Sequence, residues 1–243
     1  PFSPSQEVDD IKQAIHAAVQ ILKLGVQIID PGLEFVWTQS GSVFEGSKVD
    51  LPDEFDLNCY LVLLATCVEA HSVGDGNPSH LFLKKDGDIP QALIALFDVY
   101  HGEEYLVLDK VFMRFYCACQ IVLSCKEFWE INNKLMRVEV SDITSYKPSI
   151  SNLLVLWHGE EYPLLEISID LVPVMKLCDS QLRLPEKYIP DCVVCKKIHY
   201  ADDSRYIFRS SFNEREGKTM RQMPDVLKHT YMLCKSMRSS AIC

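Results

Sequence analysis

The sequence predicts a mixed α/β fold, an α+β arrangement in which helices pack beside one mixed sheet. Three observations predict it. Apolar side chains recur at steps of three and four over residues 3–30, the signature of an amphipathic helix. Residues 54–64 and 151–175 carry strand-length runs of alternating or continuous apolar character. Helical and strand patterns interleave without a regular βαβ rhythm, which argues against a doubly wound parallel sheet. With 243 residues, 48% of them hydrophobic and 24% charged, the chain is long enough to bury a sizeable core.

In the opening segment Ser3 is placed to cap the helix, Pro4 suits its first position and Gln6 completes a capping box. Val8, Ile11, Ile15, Val19, Leu22, Val26 and Ile29 mark its apolar face, and Asp30-Pro31-Gly32 ends it. "LEFVWTQ" reads as a short strand leading directly into Gly41-Ser42. The stretch after that turn suits one or two helical turns, and Pro52 punctuates before a strand, "EFDLNCYLVLL". Residues 72–79 and 84–89 read as turn-rich connectors. A second helix is expected over about 109–133, with Val111, Phe115, Cys119, Val122 and Phe128 among its apolar positions. "SNLLVLWHGEEYPLLEISIDLVPVM" predicts a strand, a turn at His158-Gly159 and another strand; His158 is expected to do no chemistry. "MPDVLKHTYMLCKSMRSS" is again helical.

The formal charge is −10, from 34 acids against 24 lysines and arginines. That balance gives no electrostatic support to a nucleic-acid partner, whose phosphates supply most non-specific affinity. No apolar run reaches the length of a membrane span and no segment reads as a signal peptide, so no membrane partner is expected. Ten cysteines sit mostly in apolar stretches such as "FYCACQIVLSC", which predicts buried thiols in a reducing, cytoplasmic setting. Cys192 and Cys195 with His199 have the spacing of half a zinc site, with buried thiols as the alternative. The chain opens at Pro1 with no methionine, which predicts an excised piece of a longer protein.

The acids carry the chemical signal. Side chains alternate across a strand, so Glu54, Asp56 and Asn58 share one face while Phe55, Leu57 and Cys59 take the other. In the later strand Ile167, Ile169 and Leu171 form the apolar face, and Glu166, Ser168 and Asp170 the polar one. If these strands are neighbours, three or four carboxylates converge. Charges two residues apart, about 7 Å, repel by roughly 2.4 kcal/mol at an effective dielectric near 20. Such a cluster needs a cation, a proton or wide exposure to water. Oxygen ligands of this kind suit magnesium, and two such ions can activate an attacking hydroxyl and steady a leaving pyrophosphate. A glycine followed by a helix start, as at Gly41-Ser42, lets phosphate approach the backbone closely. The competing reading is a solvated sheet edge beside an ordinary turn.

"GSVFEGSKVDLPDEFD" together with "EISIDLVPV" resembles the Mab-domain nucleotidyltransferases, the family of cyclic GMP–AMP synthase-like receptors. The family pattern is a Gly-Ser turn, an acid-x-acid pair in a "P-x-E-F-D" context and a third acid in a later strand. Here it falls on Gly41, Ser42, Glu54, Asp56 and Asp170. "LVPV" at 171–174 is similar to the invertebrate receptor type, and "FRSSFNERE" at 208–216 resembles a later family stretch.

The resemblance implies a polymerase-β-like nucleotidyltransferase core with a long N-terminal spine helix, residues 1–217. Residues 218–243 would begin a C-terminal helical lobe. It further implies that Glu54, Asp56 and Asp170 are catalytic and bind magnesium or manganese. Gly41, Ser42, Arg209 and Ser211 would contact the nucleotide, with Lys48 a possible help in neutralising phosphate. The implied substrates are ATP and GTP or other nucleoside triphosphates, and the implied product is a cyclic dinucleotide second messenger. The implied setting is a cytoplasmic innate immune sensor activated by nucleic acid, double-stranded RNA before DNA. The spine helix carries only Lys12 and Lys23 against Glu7, Asp9 and Asp10, and the family's zinc-binding insertion has no counterpart. The alternative is a Mab-domain scaffold without catalysis.

Overall fold

The computed structural model describes residues 6–41, 43, 51–73, 77–125, 136–138, 151–184, 188–195 and 204–240. Helix α1 (Gln6–Ile29) buries Ile11, Ala14, Ile15, Ala18, Val19, Leu22 and Val26, the face set by its three-and-four spacing. Val8 and Ile29, at its ends, are half-buried. Ser3 and Pro4 lie outside the described residues, and the Gln6 amide donates to Asp10 on the next turn (3.2 Å). Helix α2 (Leu108–Ser124) packs beside α1. Gly25 permits the close crossing: a Cβ there would fall 2.5 Å from Val122 Cγ1, well inside the roughly 3.5–4.0 Å of packed carbon atoms. Asp30, at the end of α1, accepts hydrogen bonds from the Gly32 N–H (3.1 Å) and the Arg114 guanidinium (2.7 Å), which ties that end to α2.

The strands are β1 (Phe35–Ser40), β2 (Glu54–Leu61), β3 (Val68–Val73), β4 (Asn77–Lys85), β5 (Phe97–Tyr100) and β6 (Glu103–Leu106). The later ones are β7 (Met136–Val138), β8 (Ser151–Trp157), β9 (Leu165–Met175), β10 (Leu182–Arg183), β11 (Cys192–Val194) and β12 (Ile207–Ser211). They form one mixed sheet with central order β1-β2-β9-β11-β12-β4-β3-β10, so the mixed α/β class read from the sequence holds. β9 is the hub. One edge pairs with β2 in parallel, and the other pairs with β8 along its first half and with β11 at its end.

Alternation along each strand sends one set of side chains to a common core. Phe55, Leu57, Cys59, Leu81, Leu83, Ile167, Ile169, Leu171 and Phe208 join α1 and α2 there. The residues between them face the other side of the sheet, away from the two helices. Glu7 anchors α1 to the β8–β9 turn, accepting from Trp157 Nε1 (2.8 Å) and from the Glu161 and Tyr162 N–H groups (2.6 and 3.0 Å). His158 is exposed in that turn, as expected.

Some boundaries differ from expectation. The run 54–64 leaves the sheet at Leu61 and makes a helical turn, Val62–Ala65. A short apolar run carries no period that separates the two states. Ser72, Val73, Asn77, Ser79, Lys84 and Lys85 belong to β3 and β4 rather than to connectors. Polar side chains such as Ser72 and Lys84, partly exposed on a strand, give the sequence the look of a connector. The second helix ends at Ser124, with Cys125 already extended, and Phe128 lies outside the described residues. After β12 come α3 (Asn213–Gln222) and α4 (Asp225–Ser240), the segment in which a helical lobe is expected to begin. Val226, Leu227, Leu233 and Met237 of α4 are exposed. No described helix is long and apolar enough to cross a membrane.

Candidate functional site

Parallel pairing of β2 with β9 sets Asp56 directly against Asp170 and Glu54 against Ser168. All three acids therefore stand on the face turned away from the helices. One oxygen from each of Glu54, Asp56 and Asp170 lies within 4.8 Å of the others, and together they could hold a metal ion. At that separation a pair of unit charges repels by about 3.5 kcal/mol at an effective dielectric near 20, before screening by water. Glu54 is exposed and the two aspartates are half-buried. The donor set is all carboxylate and partly open to solvent, which fits a hard divalent cation that keeps some of its water. Glu166 shares this face of β9 but is not in the group, so the cluster among the described residues has three acids rather than four.

Gly41 closes on this cluster from β1. β1 runs antiparallel to β2 with Ser40 opposite Asp56, and the Ser40 hydroxyl donates to the Asp56 carbonyl (3.3 Å). Gly41 has φ +79°, and a Cβ built on it would overlap the Asp56 carboxylate. Glycine is thus required twice, for its backbone angle and for the room it leaves. Ser42 and Lys48 lie outside the described residues.

A cavity of about 430 Å³ opens beside the acids, lined by Gly41, Asp56, Asn58, Arg209, Ser211 and Asn213 among others. The sequence-predicted residues Arg209 and Ser211 reach it because β12 presents alternate side chains to this face while Phe208 points into the core. Arg209 is exposed; Ser211 is buried. A second cavity of about 480 Å³ adjoins the first, sharing Ser40, Asn58 and Asn213, and takes Arg215, Lys218 and Arg221 from α3.

Three residues that sequence reasoning missed hold the cleft wall. Tyr60 Oη donates to the Glu214 carboxylate (3.0 Å), and Lys176 Nζ donates to both of its oxygens (2.9 Å each). The first turn of α3 is thereby tied to β2 and β9. Burial pushes the Tyr60 hydroxyl well up, and its bond to Glu214 adds to the rise. For Glu214, burial raises the pKa, but hydrogen bonds from Lys176 and Tyr60 outweigh it and hold the carboxyl below its ordinary value. Only the alternation placing Tyr60 on the face of Glu54 and Asp56 was available as a signal.

The spacing of half a zinc site does not yield one among the described residues. Three positions apart at the end of a strand, Cys192 and Cys195 point to opposite faces: Cys192 packs with Tyr60, Val174 and Val194, and Cys195 joins the main core. Burial pushes the Cys192 thiol up to about 12 and that of Cys195 higher still. His199 lies outside the described residues, and the described cysteines are free thiols. No family model and no curated protein matches this chain.

Proposed function

We propose that the chain is the core of a metal-dependent nucleotidyltransferase that joins two nucleoside triphosphates into a cyclic dinucleotide. The observation that carries this reading is the convergence of Glu54, Asp56 and Asp170 within 4.8 Å beside the Gly41 turn, at the mouth of a cavity holding Arg209 and Ser211. The three carboxylates would hold magnesium or manganese, which when bound lowers the barrier to attack by a hydroxyl and neutralises charge on the departing pyrophosphate. Gly41 leaves its backbone open to a phosphate. Arg209 offers a cationic, planar donor to a base or phosphate, and Ser211 a hydroxyl. Tyr60, Lys176 and Glu214 fix the wall against which the substrate lies. The resemblance to the Mab-domain family supplies ATP and GTP as the first substrates to try. It also supplies a polymerase-β-like core and a cytoplasmic immune sensor switched on by double-stranded RNA before DNA.

The test is incubation of the protein with the four ribonucleoside triphosphates, magnesium and a panel of double-stranded RNAs and DNAs, with products read by mass. A cyclic dinucleotide is expected, and none from Asp170→Ala. Undiminished product from that variant would remove the acids from the mechanism. A folded protein whose melting is not shifted by magnesium with a triphosphate analogue would instead be a Mab-domain scaffold.

A further inference from the structure

Asn58 stands on β2 between Asp56 and Tyr60, at the junction of the two cavities, and is 4% exposed. Its cross-strand neighbours are Thr38 of β1 and Val172 of β9. No hydrogen bond joins its carboxamide to a described residue. A carboxamide carries two N–H donors and an oxygen with two lone pairs. That of Asn58 is not among the described polar atoms sealed from solvent without a partner, so it opens to the cavities it lines. Val172 and Val194 share the wall of the first cavity with it, and Thr38 that of the second. Its donors and acceptor are therefore offered to whatever occupies the cavities rather than to the protein.

Its position says what it meets. Asn58 lies two residues, roughly 7 Å, along β2 from Asp56 and on the far side of it from Glu54. Phosphates drawn to the acids and to the Gly41 turn put the nucleoside of the same molecule at about that distance. We infer that Asn58 is a binding residue for the nucleoside part of the substrate, its carboxamide bonding a sugar hydroxyl or a base edge while the phosphates are held at the acid end. This inference rests on the nucleotidyltransferase reading above. The amide is both donor and acceptor, so it favours a group that can answer both roles.

The experiment compares the wild-type protein with Asn58→Leu, which keeps the volume and removes the amide. Binding is measured with magnesium and, separately, inorganic tripolyphosphate, ribose 5-triphosphate, and non-reacting analogues of ATP and GTP. Asn58→Leu is expected to weaken at least one nucleotide analogue by about tenfold, to leave tripolyphosphate within about twofold, and to melt no lower than wild type. Loss of ribose 5-triphosphate to the same extent assigns the contact to the sugar; loss confined to the analogues assigns it to the base. Equal weakening of tripolyphosphate and the nucleotides, or no weakening of either, overturns the inference. Should the leucine variant fail to fold, Asn58→Ser gives the same comparison with a shorter side chain. A wild-type protein that takes up neither tripolyphosphate nor nucleotide overturns the nucleotidyltransferase reading itself, and this inference with it.

Discussion

Two ends of one open sheet face treat charge in opposite ways. At the β3–β4–β6–β10 end, acids alternate with bases. Glu69 meets His71 at 2.8 Å and Arg183 at 3.1 Å, and Lys84 meets Glu103 at 2.9 Å. At the β2–β9 centre, three acids meet one another within 4.8 Å, next to a buried amide without a protein partner among the described residues. Strand pairing is parallel at the centre and antiparallel between β3, β4 and β6, but in both places alternation presents the side chains to the same face. The difference lies in what completes each patch. The first patch interleaves the two signs in ion pairs; the second gathers three carboxylates that together could hold a metal ion.

The sharpest way to break this comparison is to neutralise one member of the acid group. Asp56→Asn or Asp170→Asn is expected to lower product formation by about 10³-fold. The same change should raise the metal-free melting temperature by roughly 2–4 °C, about 1 kcal/mol of relieved repulsion after screening. Removing divalent ions from the wild type should likewise stop the reaction. Calorimetry with and without magnesium checks this, and a magnesium-dependent shift that survives in both variants would show that the ion binds elsewhere.

Next in size is Gly41→Ala. The left-handed backbone costs an ordinary residue about 1–2 kcal/mol, and the added methyl displaces the Asp56 carboxylate. Activity is expected to fall by about tenfold or more, with a small loss of stability. Denaturant unfolding and initial rates on one preparation separate the two effects. Unchanged rates would mean that the turn is not part of the site.

The smallest effect belongs to the balanced end. Hydrogen bonds from His71 and Arg183 hold Glu69 below the ordinary 4.5, against the opposing push of burial. A carboxyl with a depressed folded-state pKa stabilises fully above its unfolded value, and that stability is lost as pH falls through the folded value. Glu69→Gln is therefore expected to cost no more than about 1 kcal/mol at neutral pH, less in high salt, and to flatten the loss of stability below pH 4.5. Melting curves from neutral pH into that acid range check it. A variant whose acid sensitivity equals the wild type's would show that the pairs at this end contribute nothing.

Much of the site was legible because its parts are local patterns. Glu54 and Asp56 around Phe55 and Asp170 between Ile169 and Leu171 each declare by alternation which residues turn from the core, whereas Arg209 and Ser211 came only from the family resemblance. The apolar stripe of α1 was equally plain, its five central positions from Ile11 to Val26 all buried. What escaped were contacts between distant positions. Tyr60, Lys176 and Glu214 give no sign in the chain that they share one hydrogen-bonded group. Cys192 and Cys195 look paired in sequence, and the strand separates them. The polar residues of β3 and β4 read as loop because hydrophilic side chains on a solvated strand face resemble those of a turn.

By itself the sequence determined the periodicities: which segments bury a stripe, which alternate, and therefore that Glu54, Asp56, Asn58 and Asp170 are turned from the core. Those follow from backbone geometry over a few residues. Only the tertiary structure decided that β2 lies parallel to β9 with Asp56 opposite Asp170, and that β1 brings Gly41 against them. The choice of partner strand and register is made by non-local packing of the shared core, and no local pattern encodes it.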